Sequence, residues 1–389
     1  MYNVKLLNKI APVYDGILPA SGYCVGADVE AADAIMVRSA DMHAMELPES
    51  VQCVARAGAG VNNIPSAELA RKGVVVFNTP GANANAVKEL TVTGLLLSGR
   101  NVIGGLAWAQ SLKGKGDEVP ALVEKGKGQF VGPELQCKTL GVIGLGAIGV
   151  QVANVGVALG MTVLGFDPWV SVDSAWRLSR SVKHAGSQDE VLAQADYISV
   201  HVPLNKDTRG SINSDRFALM KDGAVLLNFS RGEIVDTDAL LAALASGRLM
   251  RYVTDFPNDR LLGVENVIAI PHLGASTPES EDNCVRMAAQ EIRDYLTTGA
   301  IHHSVNYPEM TPPAAFEHRL VVMHANVPNT VGGITNAVSS TGANIEAMVN
   351  SSRGEVGCTI LDLNTDLAPE VLKGIEHQQQ VYRVRMINA

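Results

Sequence analysis

Gly144-Leu145-Gly146-Ala147-Ile148-Gly149 places three glycines at the spacing G-x-G-x-x-G, directly after the apolar run Leu140–Ile143 and before the helix-compatible run Val150–Leu159. A tight turn needs the first glycine, close approach to a pyrophosphate the second, and helix-on-strand packing the third. Ala147 and Ile148 open the helix, where unpaired N–H groups favour an anion. A second apolar run, Thr162–Phe166, ends in Asp167, 18 residues past Gly149. A carboxylate there accepts hydrogen bonds from ribose and repels a 2′-phosphate, so NAD is expected rather than NADP. Two other residues have a setting suited to chemistry. Arg231 lies between Ser230 and Gly232, just past the apolar run Ala224–Asn228. His272 alone among nine histidines sits in a Pro-His-x-Gly turn after such a run, and imidazole titrates in the range useful for proton transfer.

These groups need strands that end where ligands bind. Ala34–Val37, Val51–Ala55 and Val74–Phe77 read as buried strands, each followed by turn residues. A second and longer series comprises Thr139–Ile143, Thr162–Phe166, Tyr197–Val200, Ala224–Asn228, Met250–Thr254 and Val267–Ile270. Strands alternating with helical segments imply parallel sheets whose ligands lie at the carboxyl ends. Ala84–Gln110 reads as one long helix, ending in a Gly- and Lys-rich loop from Lys113 to Gly128. Pro278–Thr297 returns to helical periodicity and carries the chain back to the first unit. After Pro308, Pro312 and Pro313, the last 75 residues read βαββαβ, the order of a small ferredoxin-like domain. The expected class is α/β. A discontinuous substrate domain (residues 1–83 with 281–310), Rossmann-like or flavodoxin-like, joins a Rossmann domain (84–280) and a ferredoxin-like tail (311–389).

Composition narrows the partners. A formal charge of −9 argues against nucleic-acid and anionic-membrane surfaces, which reward basic patches. Five scattered cysteines have neither metal-ligand nor redox spacing and read as reduced thiols. Met1–Ile10 lacks a signal-like apolar core, and no run nears the roughly 18 apolar residues of a membrane span. A cytoplasmic location is the expectation.

Beyond the glycine loop the sequence resembles the D-2-hydroxyacid dehydrogenase family over nearly its full length. The resemblance rests on Val200-His201-Val202-Pro203-Leu204, Leu227-Asn228-Phe229-Ser230-Arg231-Gly232-Glu233, Thr254-Asp255-Phe256-Pro257 and Pro271-His272-Leu273-Gly274-Ala275-Ser276-Thr277. It implies that Arg231 holds the substrate carboxylate and polarises the carbonyl oxygen, so that no metal is needed. It implies that His272 is the acid/base. The carboxylate that orients this histidine is usually Glu, five residues after the aspartate matching Asp255. Here the acid comes one residue early, as Asp259, with Glu265 a lesser candidate. Asp255 is expected at the nicotinamide carboxamide, with Pro203, Phe229, Ser230, Arg231, His272, Gly274 and Ala275 lining the cofactor.

Arg56-Ala57-Gly58-Ala59-Gly60 resembles the family's substrate loop. Arg38 and Arg56 both end expected strands, where a distal phosphate is neutralised, and Lys88 is a further cation. Residues 319–387 resemble an ACT domain, an amino-acid-sensing tail that many members of this family carry. His324-Ala325-Asn326 and Asn344 match its serine-binding residues, although Asn329 stands where Gly is usual. The resemblance implies a small phosphorylated 2-hydroxy or 2-keto acid substrate, L-serine as effector, and a homodimer or homotetramer. Two alternatives stay open: a glyoxylate, hydroxypyruvate or other D-hydroxyacid reductase, and an NAD(H)-sensing protein of the corepressor kind.

Overall fold

Short apolar runs closed by glycine, asparagine or arginine turns become parallel strands in the first half of the chain. The computed structural model describes all 389 residues. They divide into two units, Met1–Asn83 with Pro278–Ala389, and Ala84–Thr277.

In the first unit, β1 (Tyr2–Leu7), β2 (Tyr23–Gly26), β3 (Ala34–Val37), β4 (Cys53–Arg56) and β5 (Val75–Phe77) form a sheet ordered β2-β1-β3-β4-β5. All its pairs are parallel. Alternate side chains serve opposite faces, as period-2 geometry requires. Ile35, Val37, Val54 and Val76 fill one core, and Ala34, Met36, Cys53, Ala55, Val75 and Phe77 fill another. The second core is completed by the helix Pro278–Thr298, through Cys284, Ala288, Ile292 and Tyr295.

The tail supplies β13 (His318–Ala325), β14 (Ile345–Arg353), β15 (Val356–Leu363) and β16 (Val381–Asn388), an antiparallel sheet ordered β14-β15-β13-β16. Helices Thr330–Ser339 and Pro369–Glu376 complete the βαββαβ order. Leu320 and Val322 face these two helices. Val321, Met323, Cys358, Ile360 and Ile387 face the other way, into the core built by the first sheet and Pro278–Thr298. The tail therefore lies in the same unit as residues 1–83.

In the second unit, β6 (Thr139–Ile143), β7 (Thr162–Phe166), β8 (Lys183–His184), β9 (Tyr197–Val200), β10 (Ala224–Asn228), β11 (Leu249–Thr254) and β12 (Val267–Ala269) form a parallel sheet. Its order, β12-β11-β10-β9-β6-β7-β8, reverses between β6 and β9, the switch point where doubly wound sheets bind dinucleotides.

The single long helix expected over Ala84–Gln110 is two helices, Ala84–Gly99 and Val102–Ser111, bent by 68°. Asn101 restarts the chain by accepting the Gly104 N–H on its side chain at 3.1 Å, and residues Gly132–Pro133 cross against Gly99 where a larger side chain would collide. The loop expected after Lys113 contains a further short helix, Val119–Gly126, with Pro120 in its first turn. No single helix is long and apolar enough to cross a membrane. All five cysteines are free, and three of them are buried.

Candidate active site

Gly144 takes φ +94°, and a Cβ there would stand 2.5 Å from the His201 carbonyl oxygen. A Cβ on Gly149 would overlap the Gly144 carbonyl, while one on Gly146 would meet nothing within 4 Å. The first and third glycines are thus demanded by protein packing, and the second leaves space for a ligand. Gly146 caps the helix Ala147–Ala158 without any side-chain acceptor, so the N–H groups of its first turn, at Ala147 and Ile148, remain available to an anion. Asp167, at the end of β7, accepts the Leu145 N–H on Oδ2 and the Trp169 N–H on Oδ1, each at 2.8 Å. These bonds fix its carboxylate beside the glycine loop. Pro203 follows β9 and is exposed, with its carbonyl accepting from Thr208 at 2.6 Å. The ring of His201 is buried, which lowers its pKa to about 4 and keeps it neutral.

The turn carrying Arg231 is built by Asn228. Its side chain donates to the Arg231 carbonyl at 2.9 Å and accepts the Ser230 N–H at 3.1 Å, while Ser230 Oγ donates to the Val200 carbonyl at 2.8 Å. Phe229 contributes backbone alone, because its ring is buried against Gly94 and Val253. The Arg231 guanidinium is half-buried and donates to the Ser230 carbonyl at 2.6 Å. Asp255, next to the end of β11, is 1% exposed. Its Oδ2 accepts the Gly274 N–H at 3.1 Å, which ties the strand end to the loop bearing His272. Its Oδ1 is buried with no partner, the kind of acceptor that a carboxamide N–H would satisfy. Burial raises the Asp255 pKa, opposed by the Gly274 N–H and the nearby His272 and Arg231. His272 and Ala275 lie in the loop after β12, His272 exposed and Ala275 half-buried. The Phe256 ring stands 4.7 Å from the His272 ring and 5.9 Å from the Arg231 guanidinium carbon.

The carboxylate expected on His272 is not there. Asp259 is exposed and makes no hydrogen bond or ion pair with His272, and Glu265 is exposed as well. Asp255-Phe256-Pro257-Asn258 turns outward one residue short of the family spacing, and the position five past Asp255 is Arg260, which pairs with Asp238.

In the first unit Arg38 and Arg56 leave adjacent strand ends, with the Arg56 Nε donating to the Arg38 carbonyl at 3.1 Å. Arg38 is ion-paired with Glu281 at 2.5 Å. The loop Ala57–Ala59 is held by the Thr79 N–H on the Gly58 carbonyl (3.2 Å) and by the Asn78 side chain on the Ala59 carbonyl (2.6 Å). Gly58 also leaves room for the Arg56 guanidinium. Lys88, in the second unit, stands 3.6 Å from the carboxylate of its neighbour Glu89.

The three effector candidates of the tail differ in exposure. His324 is 3% exposed, and its ring is committed to the Ala325 carbonyl (2.9 Å) and Thr359 Oγ1 (2.8 Å). It follows Leu320 and Val322 on the face of β13 that the two tail helices cover. Asn326 and Asn344 remain exposed at the loops.

Residues 106–274 match the family model described as D-isomer specific 2-hydroxyacid dehydrogenase, NAD binding domain. The D-3-phosphoglycerate dehydrogenase of Methanocaldococcus jannaschii is 35% identical over 72% of this chain and 53% of its own. That of Rattus norvegicus is 34% identical over 93% of this chain and 66% of its own. The chain belongs to the D-isomer-specific 2-hydroxyacid dehydrogenase family. A solved NAD+-bound 3-phosphoglycerate dehydrogenase from Entamoeba histolytica superposes with a TM-score of 0.61 at 26% identity, covering 78% of this chain and 98% of that one. This is the α/β Rossmann-like dehydrogenase fold with parallel sheets, and NAD is its cofactor. The chain spans about half of the M. jannaschii relative and under two thirds of others. Within the dehydrogenase unit, the sequence motifs contained two structural contributors that spacing alone does not single out. Asn228 holds the arginine turn, and the Phe256 ring lies against His272 and 5.9 Å from the Arg231 guanidinium carbon.

Proposed function

We propose that the chain is a D-3-phosphoglycerate dehydrogenase, oxidising its substrate to 3-phosphohydroxypyruvate in the first step toward L-serine. The observation that carries the reading is the placement of Arg231 and His272 around one aromatic ring, on the sheet that bears the glycine loop. Bound NAD+ supplies the hydride acceptor. The chain's own residues supply the rest. Arg231 presents a planar cationic fork to the carboxylate and the C2 oxygen. A ring nitrogen of His272 takes the hydroxyl proton as the C–H bond breaks, so alcohol gives ketone, reduced cofactor and one proton. Asp255 offers its unpaired Oδ1 to the nicotinamide amide, and Asp167 accepts from the adenosine ribose. Arg38 and Arg56 are assigned to the distal phosphate, and the backbone of Ala57–Ala59 to the substrate carboxylate.

Residues 311–389 are proposed to be an ACT domain that senses L-serine through Asn326 and Asn344. His324 would join them only after leaving its buried bonds. The helix Val102–Ser111 buries none of its residues and exposes Val102, Ile103 and Leu106, an apolar face that a second copy would cover in a homodimer. Purified protein with NAD+ and D-3-phosphoglycerate is expected to generate NADH absorbance that L-serine suppresses. Turnover indifferent to serine would remove the sensing role. Turnover restricted to unphosphorylated 2-keto acids would favour a hydroxyacid reductase.

A further inference from the structure

A catalytic imidazole must be held in one orientation, and hydrogen bonds ordinarily do that. The His272 ring here has no hydrogen-bond or ion-pair partner, and the acid expected to orient it, Asp259, lies exposed and apart. Its ring contact is with Phe256, at 4.7 Å between centroids and 50° between planes. That distance is within the range of favourable aromatic pairs, and the tilt lies between stacked and edge-on.

Phe256 is itself fixed. Its N–H donates to Thr254 Oγ1 at 3.1 Å, and that hydroxyl donates to the Asn228 carbonyl at 2.9 Å. Its Cβ packs against Gly232, where even a methyl group would come within 3.3 Å. The preceding residue, Asp255, is buried and bonded to Gly274 in the histidine's own loop. The backbone and Cβ of residue 256 are thus held between the arginine turn and the histidine loop. On the arginine side the ring lies 5.9 Å from the Arg231 guanidinium carbon, near the outer limit of a cation–π contact. One apolar ring therefore lies beside both groups that would handle the substrate.

We propose that Phe256 is the positioning residue of this site, orienting His272 and Arg231 by ring contact where the resemblance implies a carboxylate on the histidine. The inference rests on the dehydrogenase reading of these two groups. Phe256 reaches them through contact alone and takes no part in bond making. Packing fixes a ring less stiffly than a hydrogen bond to a carboxylate does, so the shape of residue 256 matters more than its polarity.

The test compares Phe256→Leu, Phe256→Trp and Asp259→Asn with the wild type. F256L is expected to lose about tenfold or more in kcat through misplacement of the base, with unchanged affinity for NAD. F256W is expected to recover most of that loss. The His272 carbon-bound ring-proton resonances in NMR, displaced by the Phe256 ring current, should move in F256L and stay in D259N. An F256L enzyme with wild-type kcat and unmoved His272 resonances would overturn the proposal, as would a loss in D259N equal to that in F256L. Equal losses in F256L and F256W with intact NAD binding would also overturn it, by showing that ring shape is irrelevant. If the wild type fails to oxidise D-3-phosphoglycerate, the function assignment falls while the resonance comparison still decides the contact.

Discussion

Arg319 is fully buried on β13, with a bidentate pair to Asp362 on β15, Nε–Oδ1 at 2.5 Å and Nη2–Oδ2 at 2.9 Å. It also donates to the Thr298 carbonyl at 2.8 Å and the Pro313 carbonyl at 2.7 Å, and its guanidinium carbon lies 3.8 Å from the centre of the Phe316 ring. The arginine therefore joins the tail sheet to the end of the helix Pro278–Thr298 and to the proline linker. Arg319→Met keeps the volume but strands the Asp362 carboxylate at 5% exposure. Breaking a buried pair in this way costs about 3–5 kcal/mol. In a unit of about 200 residues each kcal/mol moves the midpoint by about 2–4 °C, so a fall of roughly 6–20 °C is expected. R319M/D362L, which leaves neither charge behind, should fall much less than R319M and D362L added together. The three tryptophans, Trp108, Trp169 and Trp176, all lie in residues 84–277, so their fluorescence reports the other unit. Calorimetry and circular dichroism are the appropriate assays. A midpoint loss under about 2 °C in R319M, or a double variant as unstable as the singles added, would refute the reasoning.

Outcomes for four further substitutions are expected. His272→Asn should lower kcat by about 10²–10⁴, and Arg231→Lys should also be severe through loss of the planar fork. Retained NAD binding in both, measured by quenching of protein fluorescence, would separate chemistry from cofactor affinity, and wild-type turnover in either would refute its role. Asp167→Ser should erode the preference for NAD over NADP, and an unchanged ratio of their dissociation constants would contradict the ribose assignment. Glu291 is buried, with one carboxylate oxygen unpaired and the other 3.0 Å from His303 Nδ1, and burial beside Glu309 and Asp294 raises its pKa to about 9. The folded state then keeps a proton that the unfolded chain has lost, so this site weakens stability as pH climbs from about 4.5 to about 9. Glu291→Gln should gain on the wild type through that window, by at most about 1.4 kcal/mol per pH unit. A melting-temperature difference that stays flat from pH 5 to 9 would exclude the effect.

Much of the fold was readable because strand runs such as Thr139–Ile143, Tyr197–Val200 and Ala224–Asn228 are largely apolar, are buried on both faces and end in turn residues. The glycine loop was legible for a steric reason, since Gly144 and Gly149 tolerate no side chain against the backbone they touch. The break at Asn101 was not, because periodicity continues through it and only the later crossing of Gly132 shows why the chain bends. The resemblance likewise implied Asp259 as the histidine's partner, whereas the ring lying against His272 is that of Phe256. A match to His-x-Asn located His324 without revealing its direction, which depends on the register of β13 in the sheet. Sequence patterns specify which residues a turn presents, and long-range packing decides what those residues meet.

The core shared by β3, β4, β5, the helix Pro278–Thr298 and the tail strands sets an order on biosynthesis. Residues 1–83 leave the ribosome before the rest of this sequence, yet one face of their sheet is filled by residues made nearly two hundred positions later. Residues 84–277 form a continuous unit that can close on itself while the remainder is still being translated. These early strands are thus among the last to gain their full packing, and in that interval Met36, Val75 and Phe77 are left without the helix and tail strands that cover them.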